Sequence, residues 1–301
     1  MKSVREMGEN AVVQRLLAQL PPPPADLFTG PGDDCAVVPF SASYWQLLKT
    51  DAIVEGIHFL PGENWERVGW KAIARVVSDF AAMGGNARWF LITLAVSPRA
   101  DIDALEMLYR GMSRCAKDYQ AHIVGGETTS VAESSGMVIS IAATGFVKKS
   151  QLKLRSTARC GDEIFVTGRL GGSLAGRHLD ICPRVNEAQW LCKKGFVSAM
   201  MDLSDGLAQD LPRLAQASNA GFQIDLSALP CQPGCTSDQA LQDGEDYELL
   251  LTVSPHRAKS LQKRWSLQFP ELALTRIGSI VPAEQSMELS GGWDHFAKLD
   301  R

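Results

Sequence analysis

Carboxylates set directly against apolar sequence are the feature that most restricts how this chain can fold. Residues 30–38 read GPGDDCAVV, so Asp33 and Asp34 lie side by side behind a Gly-Pro-Gly turn and ahead of a run that predicts a buried strand. Adjacent like charges repel and burial disfavours an ionised carboxylate, so the arrangement needs a cation or hydrogen-bond donors. A solvated turn is the alternative. The setting recurs: Asp51 follows Thr50 inside a strand-like run, Asp79 comes late in an apolar helix, Glu127 follows Gly125-Gly126 at a strand end, and Asp202 and Asp205 bracket Ser204 in MDLSDGL. Taken singly, such acids have ordinary explanations. Asp79 could pair with Arg75 at i,i+4, and Asp205 could cap the helix that follows. Seven together argue for Mg²⁺, which takes oxygen ligands and keeps waters and substrate phosphates in its shell. A polyphosphate substrate bound through several metals follows from that reading.

At 301 residues, 45% hydrophobic and 21% charged, the chain has material for two cores. A net charge of -4 supplies no basic stripe, which argues against nucleic acid or an anionic membrane as partner. No apolar run reaches spanning length, and the first twenty residues predict a charged amphipathic helix rather than a signal peptide, so a cytoplasmic location is expected. Seven cysteines at irregular spacing fit reduced thiols. Cys231 and Cys235, in CQPGC, lack both C-x-x-C spacing and a second pair, and read as inert thiols.

Pro21 to Pro24 end the first helix. Strands are expected at AVVPF, YWQLLKTDAIV, ARWFLITLAV and GMVISIAATGFV, and helices from Trp65 to Met83 and across Leu105, Leu108, Met112, Ala116 and Tyr119. A polar stretch, KKSQLKLRSTARCGD, then leads into a second set: EIFVTG, a helix after Gly172, a helix near Asn186 to Lys194, AMMDLS, GLAQDLPRLAQAS, FQIDL, YELLLTV and a last helix before LALTRIGSI. The expected fold is therefore mixed α/β in two α/β domains, residues 1–149 and 150–301.

The familiar nucleotide motifs fail. GGSLAGRH has Walker A glycines, but Arg177 and His178 stand where Lys and Ser/Thr belong, and GPGDDC completes only part of G-x-G-x-x-G. There is no H-E-x-x-H or G-x-S-x-G, and the five histidines are scattered; His58 on spacing alone is either a satisfied loop histidine or a ligand contact.

In order along the chain, GDDCAVV, TDAIVEGIHF, GWKAIARVVSDFAAMGG, VGGETT, RSTARCGDEIFVTGRLGGSLAG, MDLSDGLAQDL, DGEDYELL and WDHF resemble the thiamine-monophosphate kinase family. Its relatives include aminoimidazole ribonucleotide synthetase, selenophosphate synthetase and a hydrogenase-maturation protein, ATP users without a P-loop. The resemblance implies a homodimer of two-domain chains, with an N-terminal dimer-forming sheet that also binds ATP and Mg²⁺. It implies transfer of phosphate from ATP to thiamine monophosphate with several Mg²⁺ ions. By position it makes Asp34, Thr50, Asp51, Asp79, Asp202 and Asp205 metal ligands, with Glu127 at the place of a family aspartate and Asp33 a neighbour. Gly125, Gly126, Arg155 and Ser204 would face ATP; His58, Glu245 and Trp293 would face thiamine monophosphate. No residue is implied as general base.

Some positions depart from the family pattern: Lys49 where Ser is common, Glu127 for Asp, Gly172 for Asp, Asp243 for Gly, and a 176–184 segment lacking a helix-length insert. Two alternatives stay open, a superfamily enzyme acting on another small molecule and an ATP-binding homologue with weakened turnover. Lys49 and Asp51 should share a strand face, so Lys49 either enters the acidic pocket or turns to solvent along an edge.

Overall fold

The computed structural model describes residues 2–296. The first half forms α1 (Val4–Met7), α2 (Glu9–Leu17), β1 (Ala36–Pro39), β2 (Tyr44–Val54), α3 (Trp65–Ala82), β3 (Asn86–Val96), α4 (Ile102–Asp118), β4 (His122–Ser130) and β5 (Val138–Lys148). The second forms β6 (Glu163–Thr167), α5 (Val185–Lys194), β7 (Val197–Asp202), α6 (Leu207–Ala217), β8 (Gly221–Ile224), α7 (Ser237–Gln242), β9 (Leu249–Val253), α8 (Pro255–Gln268) and β10 (Leu274–Val281). Each half builds a five-stranded sheet, ordered β1-β2-β5-β3-β4 and β7-β9-β6-β10-β8. Among these strands only β3 and β4 pair in parallel. The mixed α/β expectation in two sheet-bearing halves is what the chain adopts.

The first sheet follows the period-two pattern of its strands. In β2, Leu47 and Ile53 are buried while Tyr44, Leu48 and Thr50 are exposed, so odd positions face the core and even positions face away. The core side is closed by α3, whose apolar residues join β2, β3 and β5. At its N-terminal end α3 meets α4 backbone to backbone: a Cβ on Gly69 would lie 2.0 Å from the Leu108 carbonyl oxygen, and one on Gly111 equally close to that of Glu66. Further along, Ala81 packs into a core of the second half with Phe165, Leu191 and Leu249. One buried helix thus joins the two sheets and carries Asp79 to the seam between them.

Several expectations need correction. The first helix is two, because Gly8 takes φ 72° and breaks it. Instead of a helix after Gly172 there are two 3-10 turns, Ser173–Ala175 and Arg177–Leu179; Gly172 and Gly176 adopt left-handed backbone and interrupt any longer helix. β4 continues to Ser130, so Glu127 lies inside a strand rather than at its end. β9 starts at Leu249, because Glu245 and Tyr247 hold positive φ. The short α7 is an addition to the expected elements; its capping box, Thr236 with Gln239, is the signal that marks it. All seven cysteines are free, and among the described residues no helix is long and apolar enough to cross a membrane.

Candidate active site

A turn, a helix end and a strand end converge at the seam. The turn before β1 delivers Asp34, the last turn of α3 delivers Asp79, and the end of β7 delivers Asp202. One oxygen from each lies within 4.8 Å of the others, and all three side chains are buried. Asp34 is 2% exposed, which excludes the solvated-turn reading. Its neighbour Asp33 fixes the turn instead, since the Asp33 carboxylate accepts the backbone N–H groups of Asp34 (3.2 Å) and Arg155 (3.2 Å). Arg155 donates to one oxygen of Asp34, and the other is buried without a partner. The Ser78 hydroxyl donates to Asp202 at 2.5 Å. Burial, then Asp34, raises Asp202 to about 7, and burial pushes Asp79 well above the carboxylate range.

Basic side chains occupy part of this wall. Lys49 lies on the core-facing side of β2, and its Nζ stands 2.6 Å from Asp79 Oδ1. Burial works against the lysine's charge, but Asp79 and Asp51 outweigh it and hold its pKa above the usual value. Arg75 does not pair with Asp79; its Nε is 3.3 Å from Asp51 Oδ2. Burial tends to raise Asp51, yet Arg75 and Lys49 keep it low. Thr50, between them, is exposed on the opposite sheet face. Asp205 does not cap α6, whose cap is Gly206 without a side-chain bond; it pairs with Arg213. The oxygen-only donor set and the unpartnered Asp34 oxygen fit one Mg²⁺ at the corner of Asp34, Asp79 and Asp202. Asp51 and one oxygen of Asp79 already have protein cations.

Beside the wall, His58, Glu245 and Trp293 line one pocket with Arg75, Ser204, Asp205 and Asp243. The space is ≈ 20 Å³, about one water, so its walls must part to admit a larger molecule. The Val54 N–H donates to His58 Nδ1 at 3.1 Å, which puts the imidazole proton on Nε2, a buried atom with no protein partner. Burial, aided by Arg75, lowers the His58 pKa to about 3, so the ring is neutral. Trp293 donates its backbone N–H to the Asp205 carbonyl at 2.8 Å, tying the C-terminal segment to the wall.

Lys71 and Asp210 join the site although neither was expected there; both lie within the stretches that carry the family resemblance, GWKAIARVVSDFAAMGG and MDLSDGLAQDL. Lys71 is fully buried; its Nζ reaches Glu245 Oε2 (2.7 Å), the His58 carbonyl (2.5 Å) and His178 Nδ1 (2.8 Å). Burial lowers it to about 8. Asp210 accepts the N–H groups of Ser204 and Asp205, both at 3.0 Å, and shapes that loop. The signals available in sequence are a lysine within the apolar face of α3 and an acid in the first turn of α6. Two departures from the family pattern also meet: the Gly172 N–H donates to Asp243 Oδ2 at 2.7 Å. The 176–184 segment is held over α3 by Arg67, which bonds Asp180 and the Gly176 carbonyl.

Gly125, Gly126 and Glu127 are not brought to this wall. They lie exposed on β4, the sheet's edge. The register runs from Ala52 through Ser140 and Thr93 to Glu127. Three strand spacings, roughly 14 Å, separate Glu127 from the strand that carries Asp51.

Known proteins resemble this chain in sequence and in fold. Residues 32–147 match the family profile "AIR synthase related protein, N-terminal domain", and residues 159–287 match "AIR synthase related protein, C-terminal domain". The chain is 31% identical to a thiamine-monophosphate kinase of Haemophilus influenzae, covering 96% of this chain and 98% of the relative. It is 33% identical to one of Bacillus subtilis, covering 83% and 85%. Among solved structures, AaThiL complexed with AMPPCP and TMP superposes with a TM-score of 0.82 at 30% identity, covering 98% and 99%.

Proposed function

The chain belongs to the thiamine-monophosphate kinase family, within the AIR synthase related proteins, and from that membership we propose the roles of its residues. The reaction is ATP-dependent phosphorylation of thiamine monophosphate to thiamine diphosphate. The observation that carries the site assignment is the convergence of Asp34, Asp79 and Asp202 beside the pocket of His58, Glu245 and Trp293.

The acceptor is a phosphate oxygen that is largely anionic at neutral pH, its second pKa being about 6. No general base is needed. The barrier is repulsion between two phosphorylated molecules, so the chain's work is alignment and charge. His58 offers its Nε2–H to an acceptor oxygen as a neutral donor. Arg75 places a fixed positive charge in the pocket wall. Lys71 holds Glu245 in place, and the Trp293 ring presents a face to an aromatic substrate. Arg155 and Ser204 stand at the wall where the nucleotide phosphates arrive. Asp34 and Asp202, with Asp79, would hold Mg²⁺, which when bound neutralises phosphate charge.

We further propose a homodimer through the outer face of the first sheet. Tyr44, Leu48, Trp89, Leu91 and Val124 are exposed there, an apolar surface that water alone covers poorly. In that assembly β4 of a second copy supplies Gly125, Gly126 and Glu127 to the nucleotide, which one chain cannot do by itself. Residues 1–149 would form the dimerising, nucleotide-binding domain and 150–301 the second domain. Chromatography of a reaction with ATP, Mg²⁺ and thiamine monophosphate tests the activity: thiamine diphosphate must appear, and must not appear when ATP is omitted.

A further inference from the structure

We infer that Lys49 and Arg75 serve as resident counter-cations in the acidic wall, so that this chain takes up one divalent ion there rather than several. The inference rests on the kinase reading for what the wall does. The ion count itself does not depend on turnover.

Four carboxylates line the wall: Asp34, Asp51, Asp79 and Asp202. Left bare at this depth they would repel one another strongly, and each needs a cation or donors. The chain supplies three cations. Arg155 takes one oxygen of Asp34, Arg75 takes Asp51, and Lys49 takes Asp79. These pairs are enclosed; the Lys49 and Asp79 side chains are 23% and 11% exposed.

Distance decides against a metal at the same oxygen. Mg²⁺ binds oxygen at about 2.1 Å, whereas the Lys49 ammonium stands 2.6 Å from Asp79 Oδ1. An ion on that oxygen would sit within about 4.7 Å of the ammonium in any direction. A divalent and a monovalent cation at that range repel strongly, even with the screening found near a protein surface. The ammonium would have to leave first.

What remains open is the opposite corner. The second oxygen of Asp34 is buried with no partner, although the residue is only 2% exposed. Asp202 has a hydroxyl, not a cation, as its hydrogen-bonding neighbour. One divalent ion between Asp34 and Asp202, with Asp79 in reach, uses these atoms and more than offsets the single negative charge that the three basic side chains leave over, which leaves no electrostatic need for a second ion.

The test counts Mn²⁺, as a probe for Mg²⁺, bound to the full chain without nucleotide, by electron paramagnetic resonance. Wild type should hold one ion per chain. Lys49→Met and Arg75→Met should each add one, while Lys49→Arg keeps the wild-type count. Melting temperature gives a second reading: the rise on adding Mg²⁺ should be several degrees larger in Lys49→Met than in wild type, because a bare carboxylate then gains a partner. A wild-type count of two or more, or of none, overturns the inference, as does an unchanged count together with an unchanged Mg²⁺ shift in Lys49→Met. Failure to form thiamine diphosphate would defeat the kinase reading and leave the ion count standing.

Discussion

Every residue of β9 is buried, Leu250 in one core and Leu249, Leu251 and Val253 in another, whereas β2 buries Leu47 and Ile53 and leaves Tyr44, Leu48 and Thr50 exposed. The second sheet is covered on both faces, by α6 on one side and α5 and α8 on the other. The first is covered on one face only, with an apolar outer face. The contrast separates two roles. A sheet closed on both sides can hold Asp202 at a fixed strand end with no help from outside the chain. A sheet open on one side leaves an apolar surface, the one through which we propose the dimer forms.

The strongest way to sharpen that contrast is through chemistry at the closed sheet. Asp202→Asn keeps the shape of the side chain and removes its charge, and kcat should fall by about 100-fold or more, with circular dichroism unchanged. Next in size is dissociation. Leu91→Asp on the outer face should turn a dimer into a monomer in light scattering at micromolar concentration, since a charge there would have to be buried unpaired. An unchanged mass, or a monomeric wild type, would break the division of labour. Truncation of the two-sided core works in the opposite sense: Leu250→Ala should cost about 3 kcal/mol of unfolding free energy without altering the assembly.

The smallest effect concerns His58, in the loop after β2. Its folded pKa, about 3, lies below the ordinary histidine value. Above about pH 6.5 the ring is neutral in both states, and the stability tied to it is fully present. As pH falls from there toward the folded value the unfolded chain takes up a proton that the folded chain refuses, so stability is lost. His58→Gln should flatten this part of the stability profile, by about 2 kcal/mol near pH ~4.5, as followed by urea denaturation.

Much of this is legible in the sequence because local rules decide it. Alternation in YWQLLKTDAIV predicts both the limits of β2 and the shared face of Lys49 and Asp51, and the apolar run ending at Gly84 predicts α3. The acids Asp34, Asp79 and Asp202 stand out because each interrupts apolar sequence. Partner choice is not legible. Helical spacing points Arg75 at Asp79, four residues along its own helix, yet it pairs with Asp51 on β2, because α3 packs across the core-facing side of that strand. Lys71 gives no sign of its role, since only the folded chain brings Glu245 and His178, more than a hundred residues away, to close around it. Glu127 sits on the far edge of its sheet, where no pattern within one chain reveals what it faces.

The most direct test is product formation itself. Purified full-length chain with ATP, Mg²⁺ and thiamine monophosphate should yield thiamine diphosphate in proportion to ADP, and the initial rate should fall by about 100-fold or more with Asp202→Asn. Binding of a non-hydrolysable ATP analogue without any thiamine diphosphate from ATP, across a range of Mg²⁺ concentrations, would contradict the assignment and leave a nucleotide-binding protein of the same fold.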